Sequence, residues 1–581
     1  MKVLNRLPIW VLIATWMVVG TTLPGLSGWA SGVRDPNDVL VHDEHAYLLQ
    51  ADTFAHGRFT NAPPRHPELF ESPHILVEPS YQAKYPPAQA LFLAFGQRCL
   101  GHPIWGVWLS CGLFAAALYW MLAGWTNRLW AMLGTEFAVA VLGITHYWAT
   151  SYWGGMVAAC GGALVLGGTR WSMRRWSTVR ALLTGLGTVI LANSRPYEGA
   201  VVCLACAPAL AWWLLSGSGV QRRRKLIGWC GPFVLVVAAG AAGMALYNRA
   251  VTGSWKALPY VLHQKQYMTF GTFRWQPINQ VPERRLSTRV RLFYEEDRLT
   301  NPGTPGGPQL GAAGVDFSLR QAFLSLFQSF ISPFNLLPKS AVRESPTDGS
   351  WLLVVFGAST AWFLCTTKRW GLLHAAWSIL ILEVLAGAAA WWTLCHYQAP
   401  IVCLCYFLAI DWLRRVILAF RRTRLLRFVR VQGAILVLML LIPTVALESR
   451  IDRLFQDQGP SLPQVVAIAS PLPSSSRGLT RPQLVEFLAR QKRPAIAVVS
   501  YDSGILLSQE WVYNSADLES QRVVLAHDLG PKELPMLVTD FPGRDLWHVR
   551  VTPRGATLWR DEDSPRTPVS VQRPDSRIGE D

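Results

Sequence analysis

VHDEHAYLLQADTFAHGRFTNAPP, residues 41–64, is the stretch on which the reading of this chain turns. An acid pair, Asp43 and Glu44, stands between His42 and His45 just after a first apolar run. What such a pair does depends on which side of a membrane it faces and on what gathers beside it.

A membrane is the frame because the 581 residues are 51% hydrophobic and only 16% charged, with 27 Trp. That composition, segregated into long apolar runs, excludes an ordinary soluble protein. A net charge of +17 would point to nucleic acid if it formed a patch. The basic residues instead fall in short loops between apolar runs, so no nucleic-acid partner is expected. All ten cysteines, from Cys99 to Cys405, lie in or beside apolar segments, which excludes a disulfide framework and a zinc ribbon. Cys203 and Cys206 form a CxxC inside one of those runs, where thiols serve packing.

Apolar runs of about 16 to 24 residues can each cross a hydrocarbon core of about 30 Å. Spans are expected at 8–26, 103–124, 129–148, 152–169, 179–194, 198–216, 226–247, 350–366, 371–391, 398–413 and 432–448, which is eleven with room for a twelfth. The first follows Lys2 and Arg6, has a long apolar core and lacks a small-x-small cleavage site, so it is expected to remain as an anchor. With its start cytoplasmic, the inside loops carry Arg128, then Arg170, Arg174, Arg175 and Arg180, then Arg222 to Lys225, then Lys368 and Arg369, then seven arginines from Arg414 to Arg430. Every inside loop is basic, as the positive-inside rule requires. Residues 30–85 fall on the other face, with eight acids (Asp35, Asp38, Asp43, Glu44, Asp52, Glu68, Glu71, Glu78) against four bases (Arg34, Arg58, Arg65, Lys84).

Three more segments share that outer face: NSRPYE at 193–198, the connection 249–349 and CHYQAP at 395–400. Within the connection, Leu319, Phe323, Leu326, Phe327, Phe330 and Ile331 recur at helical spacing and are expected to lie flat in the membrane interface. The polar C-terminal region is expected on the same side. There Thr480 and Gln483 make a capping box ahead of LVEFLAR, and AIAVVS, RVVLAHD, PMLVTD and LWHVRVT read as short β-rich runs. The expected fold class is an α-helical polytopic membrane protein of about 11–12 transmembrane helices with a small C-terminal α/β extracytoplasmic domain. Its bounds are 1–449 for the transmembrane domain, with outer loops 30–102 and 249–349, then 450–560 for the α/β domain and 561–581 for a disordered tail.

DEHAY in the first outer loop, KYPP before a surface helix, RPYE at an outer helix end and HYQAP at a later one follow in an order that resembles the GT-C class of glycosyltransferases. The chain is similar to the protein O-mannosyltransferases and the lipid A aminoarabinose transferase, of glycosyltransferase family 39 type, over roughly residues 1–450. The resemblance implies a GT-C-like fold in the cytoplasmic (inner) membrane and a role in the cell envelope. It implies a donor sugar on a polyprenyl phosphate, transferred at the outer face to a hydroxyl or amine of a lipid, glycan or protein acceptor. The family's outer-loop aspartate matches Asp43, implied to be the general base, and its lysine before proline matches Lys84, implied to bind the lipid phosphate. The C-terminal domain is not covered by the likeness.

The residue types fit that chemistry. Inverting transfer needs a carboxylate within hydrogen-bond reach of the nucleophile, worth about 10²- to 10⁴-fold, and cations where charge develops on the departing phosphate. Asp43 and Glu44 are the candidate catalytic pair. Lys84, Tyr85 and Arg195 are candidate donor-phosphate ligands, Arg195 because it ends an apolar run, where charge is expensive. Glu198 either contacts substrate or neutralises Arg195 one turn away, and Glu44 either binds the acceptor or caps the helix EHAYLLQADTFAHG. Tyr152 and Trp153 can stack on a sugar ring or anchor a span end. His396 and Tyr397 can line the same site or belong to an interfacial aromatic belt. His42 and His45 beside two acids are candidate ligands for a divalent metal, although no further spaced pair completes a set. No other cofactor is implied, since NPGTPGGPQLGAAG from Asn301 lacks the Lys-Ser/Thr ending of a phosphate loop. Two other classes compete with the transferase: a polytopic lipid or solute transporter, which would place ionisable residues in broken helices near mid-membrane, and a non-catalytic GT-C-like scaffold in envelope assembly.

Overall fold

The computed structural model describes residues 6–30, 35, 36, 39, 41–268, 271–273, 275, 276, 282, 287–300, 371–390, 395–422, 479–502, 505, 509–553 and 555–561. The spans expected at 350–366 and 432–448, the interfacial helix at 319–331, the linker from Asn301 and the tail beyond 561 lie outside those residues. In chain order the helices are α1 (Ile9–Ala30), α2 (His42–Ala55), α3 (Ala88–Leu100), α4 (Ile104–Trp125), α5 (Arg128–Ala138), α6 (Met156–Arg174), α7 (Thr178–Ala192), α8 (Pro196–Leu215), α9 (Gly219–Thr252), α10 (Pro259–Tyr267), α11 (Thr288–Thr300), α12 (Leu372–Ala389), α13 (Val402–Arg422), α14 (Arg481–Ala489) and α15 (Leu534–Asp540). The strands are β1 (Ile75–Leu76), β2 (Gln82–Ala83), β3 (Ala495–Tyr501), β4 (Val523–His527), β5 (Asp545–Thr552) and β6 (Gly555–Arg560).

Helix α1 is apolar on every side, so its whole circumference needs protein or lipid around it. Leu12, Trp16, Gly20, Pro24 and Gly28 recur every fourth residue and turn inward together, while Trp10, Leu26 and Trp29 face outward. Small residues let the backbones meet: a Cβ at Gly20 would stand 2.6 Å from Ala115 Cβ of α4. Among the described residues, α1, α4, α8, α9 and α12 are long and apolar enough to cross a membrane, and α7 is apolar but shorter. The run expected as a span at 129–148 is not one straight helix. It continues from α5 into a wide turn at Val139–Thr145 and a tight one at Tyr147–Ala149, because His146 leaves helical geometry and its ring accepts the Trp148 N–H at 3.4 Å.

Between α1 and α4 the segment read from the sequence as the first outer loop folds on itself. Helix α2 starts at His42, so Asp43 and Glu44 lie in its first turn, where the helix dipole favours negative charge. Strands β1 and β2 pair antiparallel, Ile75 opposite Ala83 and Leu76 opposite Gln82, and the Lys84 N–H donates to the His74 carbonyl at 3.0 Å. Gln50 of α2 donates to the Tyr85 carbonyl at 2.8 Å and to the Tyr247 hydroxyl at 2.6 Å, tying the loop to α9. Helix α3 follows Pro87 and keeps Leu91 and Phe95 exposed.

The C-terminal unit is a four-stranded sheet in the order β4-β3-β5-β6, with β3 parallel to β4 and β5, and β6 antiparallel to β5. The Thr480/Gln483 capping box starts α14 as expected, and Leu484 and Leu488 cover one face of the sheet. The other face carries Ile496, Val498, Val524 and Ala526 into the same core as Leu69 and Phe70 of the first outer loop. PMLVTD, read as a β-rich run, is instead helix α15: Pro535 stands in its first turn, where a missing N–H costs nothing, and Leu537 and Phe541 pack inward. The unit thus packs directly on the segment between α1 and α4.

Candidate functional site

The site grows from the first turn of α2. Tyr85 donates its hydroxyl proton to Asp43 Oδ1, and its ring stacks on Tyr47 at 4.4 Å between centroids. Burial and the Asp43 charge push the Tyr85 hydroxyl well above its usual pKa, so it stays protonated as a donor. On the other carboxylate oxygen, Oδ2, His42 Nε2 lies at 3.4 Å and His74 Nε2 at 3.9 Å. Burial, opposed by Asp43 and reinforced by Lys84, lowers the His42 pKa. Burial, then Lys84, His42 and His263, holds His74 well below the ordinary histidine value. Both imidazoles are therefore neutral at neutral pH, with lone pairs to offer.

Lys84 is 6% exposed, with Nζ 5.3 Å from the Tyr85 ring centre and 5.2 Å from that of Tyr260. The hairpin sets it across from His74. Arg195 arrives from the start of α8, its guanidinium 4.3 Å over the Tyr397 ring. Tyr260 and Tyr397 both lie within electrostatic reach of Asp43, Arg195 and Glu198, which makes these groups one neighbourhood. Two backbone contacts assemble it. The Ala88 N–H donates to the Asn193 carbonyl at 2.9 Å, joining KYPP to NSRPYE. The lack of a side chain at Gly162 brings CHYQAP against α6, since a Cβ there would stand 1.8 Å from the Pro400 carbonyl oxygen.

Asp43, Lys84, Tyr85, Arg195, Glu198 and Tyr397 thus come together in the structure. Glu44 is fully buried and does not cap α2, whose N-cap is Val41; its Oε1 accepts the Tyr152 N–H at 3.0 Å. Tyr152 meets the site through its main chain, its ring being buried in the core and its carbonyl accepting from Gln89 at 3.0 Å. Trp153 and His396 pack edge to face at 4.5 Å, His396 Nδ1 meets the Tyr147 hydroxyl at 3.0 Å, and the His396 ring also packs edge to face on Tyr397 at 4.8 Å, so this pair belongs to an aromatic cluster in contact with Tyr397. His45 does not join His42. Its ring stacks on Tyr513 of the C-terminal unit at 3.9 Å and 8°. His74, Tyr47 and Tyr260 are the residues that sequence reasoning missed. Only the turn between HPELFESPHIL and SYQAKY, closing a hairpin before KYPP, points to His74.

The C-terminal unit forms one wall of this loop. Ser72 donates its hydroxyl to the Val512 carbonyl, the Ala516 N–H donates to Asp52 Oδ2 at 2.9 Å, and His527 Nε2 lies 2.7 Å from the Glu71 carbonyl. Arg289 of α11 pairs with Glu510 at 3.0 Å, and the Ser287 N–H donates to Glu71 Oε2 at 2.9 Å.

No family model and no curated protein sequence matches the chain. Among solved structures, the chain aligns with the crystal structure of ArnT from Cupriavidus metallidurans bound to undecaprenyl phosphate, at 11% identity and a TM-score of 0.48, over 93% of each chain.

Proposed function

We propose that the chain is a membrane glycosyltransferase that moves a sugar, with inversion, from a polyprenyl-phosphate donor to an acceptor hydroxyl or amine. The observation that carries this reading is one carboxylate, Asp43, and two cations, Lys84 and Arg195, sharing a wall of tyrosines. An inverting displacement needs both signs side by side. As the acceptor oxygen or nitrogen bonds to the sugar's anomeric carbon, its proton passes to Asp43. The bond from that carbon to the phosphate oxygen breaks, and Lys84 and Arg195 receive the departing lipid phosphate. Tyr85 orients Asp43, and Glu44, held by the Tyr152 amide, fixes the turn that carries it. Glu198 and Tyr397 position Arg195. The basic loops support an orientation in which this site and the α/β unit face the extracytoplasmic side of the inner membrane.

The test is transfer from a polyprenyl-phosphate-linked sugar by the purified protein, with membrane extract as the source of acceptor. Asp43→Asn keeps the side chain's size and cannot take the proton, so turnover should fall by about 10²- to 10⁴-fold. Turnover equal to wild type in a well-folded Asp43→Asn protein would remove the general-base assignment.

A further inference from the structure

We propose that His42, Asp43 and His74 form a binding site for a divalent transition-metal ion of the zinc class. Two elements distant in sequence deliver the ligands: His42 and Asp43 open α2, and His74 precedes β1. One ligand atom from each side chain falls within 4.8 Å of the other two, and among the described residues this is the one such group of His, Cys, Asp and Glu. Ligands held about 2.0–2.1 Å from a tetrahedral zinc stand roughly 3.3–3.4 Å from one another. The distances from Asp43 Oδ2 to His42 Nε2, 3.4 Å, and to His74 Nε2, 3.9 Å, are close to that edge, so small side-chain rotations close the set on one ion.

The donor set selects the metal class. Two imidazoles and one carboxylate suit zinc and its first-row neighbours, whereas calcium and magnesium ask for oxygen alone. Three protein ligands leave a fourth position for water or a substrate hydroxyl, as in catalytic rather than structural zinc sites.

The groups behind the ligands hold them in place. Asp43 Oδ1 accepts from Tyr85, leaving Oδ2 toward the histidines. His74 sits at φ 66, in the left-handed region, and is pinned there by the Lys84 N–H on its carbonyl at 3.0 Å and by its own N–H donating to the Tyr294 hydroxyl at 3.1 Å. A histidine held in that region by its neighbours is the kind of strained residue that clusters at functional sites, and hydrogen-bonded supports of this sort orient metal ligands. The Lys84 ammonium faces the same group, and the Asp43 carboxylate is the charge that offsets it. The assignment stands on this geometry and does not depend on the transfer reading.

The test uses the full chain in detergent, stripped with a chelator and free of donor and acceptor. It is titrated with Co²⁺, whose visible absorption intensifies on tetrahedral coordination, and with Zn²⁺ against a chromophoric chelator. One ion per chain is expected. His74→Asn keeps a residue that tolerates positive φ while removing Nε2, and it should weaken binding at least about tenfold, as should His42→Asn. His45→Asn should bind as the wild type does, since His45 faces Tyr513. No stoichiometric binding by the wild type, or equal binding by His42→Asn and His74→Asn, overturns the site. Stoichiometric binding lost in both variants supports it even where the protein transfers no sugar, an outcome that would sink the transferase reading alone.

Discussion

Replacing Arg289 by methionine should loosen the docking of the α/β unit by about 3 kcal/mol. The guanidinium donates from Nε to Glu510 Oε2 at 3.0 Å and from Nη2 to the Gln509 carbonyl at 3.2 Å, and it lies 3.6 Å over the Tyr501 ring. The Glu510 side chain is only 1% exposed, so methionine leaves a buried anion without its guanidinium. Breaking a buried pair from one side costs about 3–5 kcal/mol. The Trp511 and Val512 amides still donate to Glu510, both at 2.8 Å, as does the Tyr501 hydroxyl, which sets the expectation at the lower end. The Ala516 N–H reports the outcome, because its acceptor, Asp52 Oδ2, lies across the interface. In native-state hydrogen exchange, the peptide containing Ala516 should exchange roughly 100-fold faster, the equivalent of about 3 kcal/mol. The double variant Arg289→Met/Glu510→Gln removes the buried charge as well and should recover most of the loss. An exchange rate within about threefold of wild type for the single variant, or no recovery in the double variant, would refute the reasoning.

Lys84→Ala and Arg195→Ala should each lower kcat more than they raise KM for the polyprenyl-phosphate sugar, because both charges act most where the phosphate departs. Lys84→Arg should keep part of the activity and Arg195→Lys less, since a guanidinium grips two oxygens and an ammonium one; unchanged kinetics in both alanine variants would place the phosphate elsewhere. Gly162→Ala forces α6 and the CHYQAP turn apart against the Pro400 carbonyl, an overpacking cost of about 1–3 kcal/mol, and should lower both thermal stability and turnover. Stability equal to wild type would contradict that packing. On a Cys99→Ser background, Ser520→Cys should react with an impermeant maleimide on cells whose inner membrane is intact; labelling only after lysis would reverse the proposed orientation.

The apolar runs make most of the helices legible, because a stretch that must be covered on all sides announces itself whatever its neighbours do. The Thr480/Gln483 cap is legible for a local reason, being two side chains exchanging hydrogen bonds with their own backbone. PMLVTD is ambiguous because a short apolar run has no period of its own, and packing of Leu537 and Phe541 decides it. β6 is missed because GATLWR pairs only with β5, after a turn at Gly555 with φ 108. At the site, Arg195 stands out because charge at the end of an apolar run is costly, while Asp43 and Lys84 stand out only through the resemblance carried by DEHAY and KYPP. His74 does not, since its place beside Asp43 comes from the register of a two-residue hairpin. His45 is one residue from the acid pair and yet faces away, toward a tyrosine far along the chain.

The most direct test of the account is an experimental structure of the full chain with undecaprenyl phosphate bound. The account predicts the phosphate within hydrogen-bond reach of Lys84 Nζ and the Arg195 guanidinium, with the lipid tail leaving toward the apolar helices and Asp43 beside the position of the sugar's anomeric carbon. A phosphate seated away from both cations, or a lipid whose head does not come beside Asp43, would contradict it.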